Sequence, residues 1–313
     1  MNKLTFECEL ITPMFMYGGD GRTLEIRPSE FKGMLRFWWR ALHPELSLEE
    51  LRKKEGEIFG NTDRKSSFRI RIFHNYQKKE YKALPHQPEI ISIWDKKENK
   101  RKNVPNKKAF KLKAYLPTQN KQLEINFIIY SNDKYLTDLI KNLFILSSII
   151  GGFGRRSRRG FGSLKINNVN GENFNHEDYF LLDNIETLIK NINPNFSFWF
   201  RRNGDSYPYI KNIDIGTISY NSYDEILKHI GQLTHDCRCG KAGVFKNEER
   251  FASPCYVSVI KKNDKYFPII TSLNIAIGNN KNLTNFQKNT ISKFKKSILE
   301  KKNLCIQGRS LNV

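Results

Sequence analysis

Little in this chain points to metal or redox chemistry. It has five cysteines, an odd number that suits a reducing compartment better than a disulfide framework, and only six histidines. No cluster of Asp and Glu of the kind a metal nuclease requires is visible. Long apolar runs are missing as well. The longest, Leu143 to Ile150, includes Ser147 and Ser148 and is too short to span a bilayer. Met1 to Leu10 carries Lys3, Glu7 and Glu9 in an alternating pattern and does not resemble a signal peptide. These absences predict a soluble, cytoplasmic protein with no cofactor and no membrane partner. Acidic residues are also scarce, 32 against 53 Lys and Arg, for a formal charge of +21. Such an excess attracts nucleic acid or another anionic surface. Scattered lysines follow equally from an A/T-rich coding bias, but clustered arginines do not.

Those arginines lie in residues 151–165, Gly-Gly-Phe-Gly-Arg-Arg-Ser-Arg-Arg-Gly-Phe-Gly-Ser-Leu-Lys. Glycines at 151, 152, 154, 160 and 162 suit a backbone that approaches a polyanion with its N–H groups. Arg155, Arg156, Arg158 and Arg159 supply planar charges for phosphate, and Phe153 and Phe161 offer rings for unpaired bases. The loop is not a Walker loop, because no Gly-Lys-Ser/Thr closes it. It is not a dinucleotide fingerprint either, because a helix precedes it and a strand follows. A merely solvated loop is the alternative.

The surrounding pattern predicts strand Leu4–Ile11, a helix from Pro28 to about Leu42, and a second helical piece over 47–59 with the Ser47/Glu50 capping-box spacing. Strands at 68–73 and 123–130, a helix over 133–150 and a strand at 163–169 follow. The order β-α-β-β-α-β predicts an α+β, ferredoxin-like (RRM-like) unit over 1–170, interrupted by a basic insertion at about 75–122. A weaker echo over 171–313 predicts a second, more divergent ferredoxin-like domain in tandem. Its strand 209–220, helix 223–233, hairpin 255–261/266–277 and basic helix 283–300 make most of a copy.

In the first helix, Lys32, Arg36 and Arg40 form an i, i+4, i+8 stripe beside Phe31, Leu35, Trp38 and Leu42. Trp39 next to it suggests a phosphate track with a stacking ring, against the alternative of a solvated basic face. Gly33 costs about 1 kcal/mol relative to Ala in a helix, which suggests close approach of another backbone or a ligand.

The run Arg27-Pro-Ser-Glu-Phe-Lys-Gly-Met-Leu-Arg36 together with Gly151 to Gly162 resembles the RAMP superfamily of CRISPR systems, the repeat-associated mysterious proteins. Thr12-Pro13, the Gly-Gly-Asp-Gly turn at 18–21 and the run from Leu35 to Leu42 are similar to the first-numbered subunits of the type III-B effector, the Cmr complex. Arg250-Phe-Ala-Ser-Pro254 resembles that family's second domain less specifically. The resemblance implies a non-catalytic subunit that helps hold the 3′ part of guide RNA and captures target RNA beside other RAMP subunits. It places Lys32, Arg36, Trp39, Arg40 and Arg155 to Arg159 near RNA. Some relatives cleave guide precursors without metal through a histidine, and His43 is the one candidate near these motifs. A metal-independent endoribonuclease is therefore the enzymatic alternative, and a free-standing single-strand binder is a third. His235, Cys237 and Cys239, with Cys255 downstream, form the only grouping to weigh as a zinc site. The cysteines are one residue apart and no second pair exists, so a loop with reduced thiols is the expectation.

Overall fold

The computed structural model describes residues 1–82, 90–95, 98–105, 111–118, 120–130, 132–200, 207–236, 253–274 and 285–299. The first half is built from β1 (Asn2–Leu10), α1 (Pro28–Ala41), α2 (Leu48–Phe59) and β2 (Phe68–His74). The insertion contributes β3 (Lys78–Lys82), β4 (Ile90–Asp95), β5 (Lys100–Pro105) and β6 (Lys111–Tyr115), in which β3 pairs with β6 and β4 with β5, both antiparallel. Then come β7 (Leu123–Ile129), α3 (Lys134–Ile150), β8 (Leu164–Val169) and β9 (Glu172–Asn173). The large sheet is antiparallel, in the order β2-β7-β1-β8-β9.

Period-two alternation decides which face of this sheet is dry. Leu4, Phe6, Cys8 and Leu10 of β1 and Ile125 and Phe127 of β7 are buried under the helices, with Phe6 and Phe144 of α3 at 4.5 Å. Burial pushes the Cys8 thiol pKa far up, so it behaves as a small hydrophobe. The opposite face carries Arg69, Arg71 and Phe73 at one edge and Glu7, Glu9 and Glu124 toward the other end. The predicted capping box is present: the Ser47 N–H donates to Glu50 Oε2 at 2.9 Å and the Glu50 N–H to Ser47 Oγ at 3.2 Å.

The second half opens with α4 (Leu182–Ile192), which the sequence analysis does not assign. Its signal was available in Ile185, Leu188, Ile189 and Ile192, all buried on one face. The remaining elements are β10 (Ile210–Ile215), α5 (Tyr223–Asp236), β11 (Cys255–Lys262), β12 (Lys265–Leu273) and α6 (Asn285–Leu299), with the sheet ordered β10-β12-β11. The halves share one hydrophobic core, which runs from Phe6 and Phe127 through Phe153 to Tyr256, Ile260 and Ile269. The C-terminal carbonyls of α3 have no partner within their own helix, and strands of the second sheet supply two. Ser258 Oγ donates to the Ile149 carbonyl at 2.5 Å, and Thr271 Oγ1 to that of Ile150 at 3.2 Å. One core cluster thus spans both sides of residue 170, and a second, with Ile226, Ile230, Val257, Val259, Ile270 and Phe294, belongs mostly to the second half. No described helix is long and apolar enough to cross a membrane.

Candidate nucleic-acid interface

The arginine-glycine loop is not a free cradle. It lies along residues 12–17 and is fixed by its own backbone. The Phe153 N–H donates to Gly162 O at 2.9 Å, Arg155 to Phe15 O at 2.7 Å, Gly160 to Val257 O at 2.7 Å and Gly162 to Pro13 O at 2.9 Å. Thr12 Oγ1 adds a bond to Gly160 O at 2.6 Å and accepts from the Ser163 N–H at 3.0 Å. The expectation that backbone donors face an anion is therefore corrected, because these N–H groups are spent inside the protein. Close packing of backbone explains Gly152 and Gly154, while Gly151 meets the Trp38 ring and Gly160 meets Leu227 and Ile230. A Cβ at Gly152 would lie 2.6 Å from Phe161 O, and one at Gly154 2.4 Å from Phe15 O.

The rings also point inward. Phe153 is fully buried, stacked on Phe31 of α1 at 4.5 Å, and Phe161 packs on Phe15 at 5.0 Å. Trp39 is 3% exposed, lies against His43 at 4.2 Å and meets Phe59 edge-on at 6.3 Å. None of the three presents a face to an unpaired base, which corrects their assignment as stacking platforms. Burial of large rings is worth more than their exposure, and nothing in residue spacing told which way they turn.

The four arginines divide into two pairs. Arg158 donates to the Ser253 carbonyl and sets its guanidinium over Tyr256 at 4.6 Å and Phe37 at 5.9 Å. Arg159 stands over Phe294 of α6 at 5.5 Å and reaches Cys255 O at 3.5 Å. Both are half-buried struts between the halves. Arg155 and Arg156 are exposed instead. Arg155 lies over the ring of Tyr17 at 4.9 Å, beside the Gly18–Gly21 turn that Asp20 closes by accepting from the Arg22 and Thr23 N–H groups, both at 2.9 Å. The Thr23 hydroxyl, which donates to the other carboxylate oxygen at 2.5 Å, and then those two N–H groups hold the Asp20 pKa down at about 2, so the carboxylate stays charged in the turn. Arg156 has φ 63° and ψ 17°, a left-handed conformation that costs a non-glycine residue roughly 1 kcal/mol or more. An arginine is kept there although glycine would be cheaper.

The basic stripe on α1 is turned elsewhere. Glu55 of α2 takes Arg36 at 3.0 Å and Arg40 at 3.6 Å, and Arg36 also donates to Gly60 O at 2.6 Å. Lys32 sits over Phe68 at 5.1 Å, and burial, then the Arg36 charge, lowers its pKa. The stripe braces α1 on α2 and β2, with half of its two arginine charges offset by one carboxylate.

A model of the RAMP superfamily matches residues 7–165. The chain belongs to the RAMP superfamily. This RAMP protein is 31% identical over 185 residues to the CRISPR system Cmr subunit Cmr1-2 of Pyrococcus furiosus, covering 53% of the present chain and 96% of that one. The crystal structure of apo Cmr1 from Pyrococcus furiosus aligns with a TM-score of 0.62 at 18% identity, over 95% of this chain and 96% of that one. A chain in a cryo-EM structure of type III-B Cmr-beta bound to cognate target RNA and AMPPnP aligns with a TM-score of 0.57 at 11% identity, over 94% and 99%. At these identities the two structures share the fold.

His43 of this RAMP protein is half-buried just past the C-terminal end of α1. Its Nδ1 donates to Trp39 O at 2.6 Å, its carbonyl accepts from the Tyr207 hydroxyl at 2.6 Å, and burial lowers its pKa. That is a helix-end brace. Of the zinc grouping, Cys237 and Cys239 lie outside the described residues, as does the side chain of His235. Cys255 is buried, which pushes its thiol pKa up to about 11. No set of metal-binding side chains occurs among the described residues.

Gly33 is exposed, and a Cβ there meets nothing within 4 Å. No described backbone of this chain needs the space. Gly33→Ala should raise stability by about 1 kcal/mol, read as a higher urea midpoint. A destabilised variant would mean that the helix is strained at this turn.

Proposed function

We propose that this RAMP protein is a non-catalytic RNA-binding subunit of a type III-B CRISPR effector. It helps hold the 3′ part of guide RNA and capture target RNA. Likeness to the Cmr subunit of Pyrococcus furiosus, and to a chain of the Cmr-beta complex bound to cognate target RNA, supports the assembly. One observation carries the RNA contact: Arg155 and Arg156 stay exposed on a backbone that hydrogen bonds fix on both sides, while Arg158 and Arg159 turn inward. Charge held rigidly at the surface is what phosphate recognition requires, since little ordering remains to be done on binding.

The scaffold reads as a ferredoxin-like unit, with strands in the order second, third, first, fourth once the insertion and β9 are set aside. The second half reads as a divergent copy, in the order first, third, second. The outer sheet face is a poor site for an RRM-type contact. Its centre holds Thr5 and Asn126, hydrogen-bonded at 2.8 Å, and one end is acidic. His43 is tied up in structure, which favours capture over cleavage.

Arg155→Glu with Arg156→Glu should weaken binding of a single-stranded RNA at least tenfold at about 0.1 M salt and flatten the salt dependence by roughly one unit of slope. Anisotropy titrations at several salt concentrations measure both. Unchanged affinity would remove the loop from the interface, and cleavage of the RNA that His43→Ala abolishes would replace this reading with an endoribonuclease.

A further inference from the structure

We propose that Arg155, laid over Tyr17, is the stacking platform for one unpaired base of single-stranded RNA, while Arg156 takes a neighbouring phosphate. This rests on the reading of the loop as an RNA contact and adds the chemistry it selects. The rings that the sequence offered for stacking are occupied, Phe153 by Phe31, Phe161 by Phe15 and Trp39 by His43. The loop presents a guanidinium plane in their place.

That plane has a built seat. Tyr17 is held by its hydroxyl, which donates to Lys113 O at 2.8 Å, by a backbone bridge to Leu24, and by packing against the cluster of Phe15, Ala114, Phe161 and Leu227. One side of the ring therefore faces the protein, and the Arg155 guanidinium stands over it at 4.9 Å. Gly21, at φ +66°, closes the edge of the seat: a Cβ there would lie 3.2 Å from Arg155 Nη2. The Arg155 N–H is bonded to Phe15 O at 2.7 Å, so the side chain leaves from a fixed point. A guanidinium seated on a ring has given up much of its rotamer freedom before a ligand arrives. Bases stack on guanidinium planes as they do on aromatic rings, and only an unstacked base has a face to offer. A duplex keeps its bases stacked and meets the same two arginines as charges alone.

Anisotropy titrations of the full chain separate these cases with three labelled probes: a short single-stranded RNA, a strand of equal length with abasic residues, and a hairpin duplex. Arg155→Lys keeps the charge and removes the plane. It should weaken binding of the base-bearing strand about tenfold and leave the other two probes within about twofold. Equal losses on all probes, or no loss on the base-bearing strand, would overturn the platform while leaving the loop an electrostatic contact. Binding of every probe unaffected by charge reversal at both arginines would overturn the RNA reading itself.

Discussion

Arg158→Ala with Arg159→Ala should lower the stability of the chain by about 2–4 kcal/mol, although both residues belong to the loop that carries the proposed RNA contact. Each guanidinium sits over a ring, Tyr256 or Phe294, a contact worth about 0.5–2 kcal/mol. Each also gives charged hydrogen bonds to second-half carbonyls, and truncation would leave the Ser253 carbonyl short of its donor. The partners lie on β11, on the residues just before it and on α6, so the loss falls on the junction between the sheets. A thermal melt should show a drop of roughly 4–8 °C. Arg155→Ala with Arg156→Ala should shift the melt much less, because both side chains are exposed, only the Arg155 contact with Tyr17 is lost, and the left-handed backbone at 156 costs alanine as much as arginine. The two pairs thus exchange effects: the inner pair moves stability, the outer pair moves RNA affinity. Equal melting temperatures for both double variants would show that the inner arginines are not struts.

How much of this was legible depends on which physical signal each feature leaves in the sequence. Strand alternation, the Ser47/Glu50 box and the Pro28 start are local, and the elements they mark are observed within a few residues. The second-half hairpin was legible for the same reason. Direction was not. A Phe between glycines has the same sequence whether it faces a base or Phe31, and four arginines in five positions do not say that two of them bridge to residues about a hundred positions away. Pairing is equally silent, since Glu55 quenches Arg36 and Arg40 from a second helix. The glycines misled for a related reason: they mark a close approach, and the approaching group is this chain's own backbone or, at Gly160, its own side chains.

Gly162→Ala tests that last point. The residue has φ +71°, and a Cβ added to it would lie 2.0 Å from the Phe153 carbonyl oxygen, nearer than any real contact allows. The left-handed conformation alone costs an alanine roughly 1 kcal/mol. Relief of the clash requires the two limbs of the loop to part. That strains the bond from the Phe153 N–H to Gly162 O at 2.9 Å and the bond from the Gly162 N–H to Pro13 O at 2.9 Å, each worth about 1 kcal/mol. It also moves Phe153 from its seat between Phe31 at 4.5 Å and Phe144 at 6.0 Å, in the core that both halves share. Together these predict a loss of about 4–6 kcal/mol, a large part of the usual stability of a folded chain. Gly171→Ala is the matched control, because it has φ +84° and nothing within 4 Å of an added Cβ. That variant should lose only the backbone cost, about 1 kcal/mol. Urea unfolding of both variants measures the difference, and equal midpoints would mean that the limbs of the loop are not pressed together. If the gap is as large as expected, the glycines of residues 151–162 serve the joint between the sheets, and RNA affinity at the loop rests on Arg155 and Arg156.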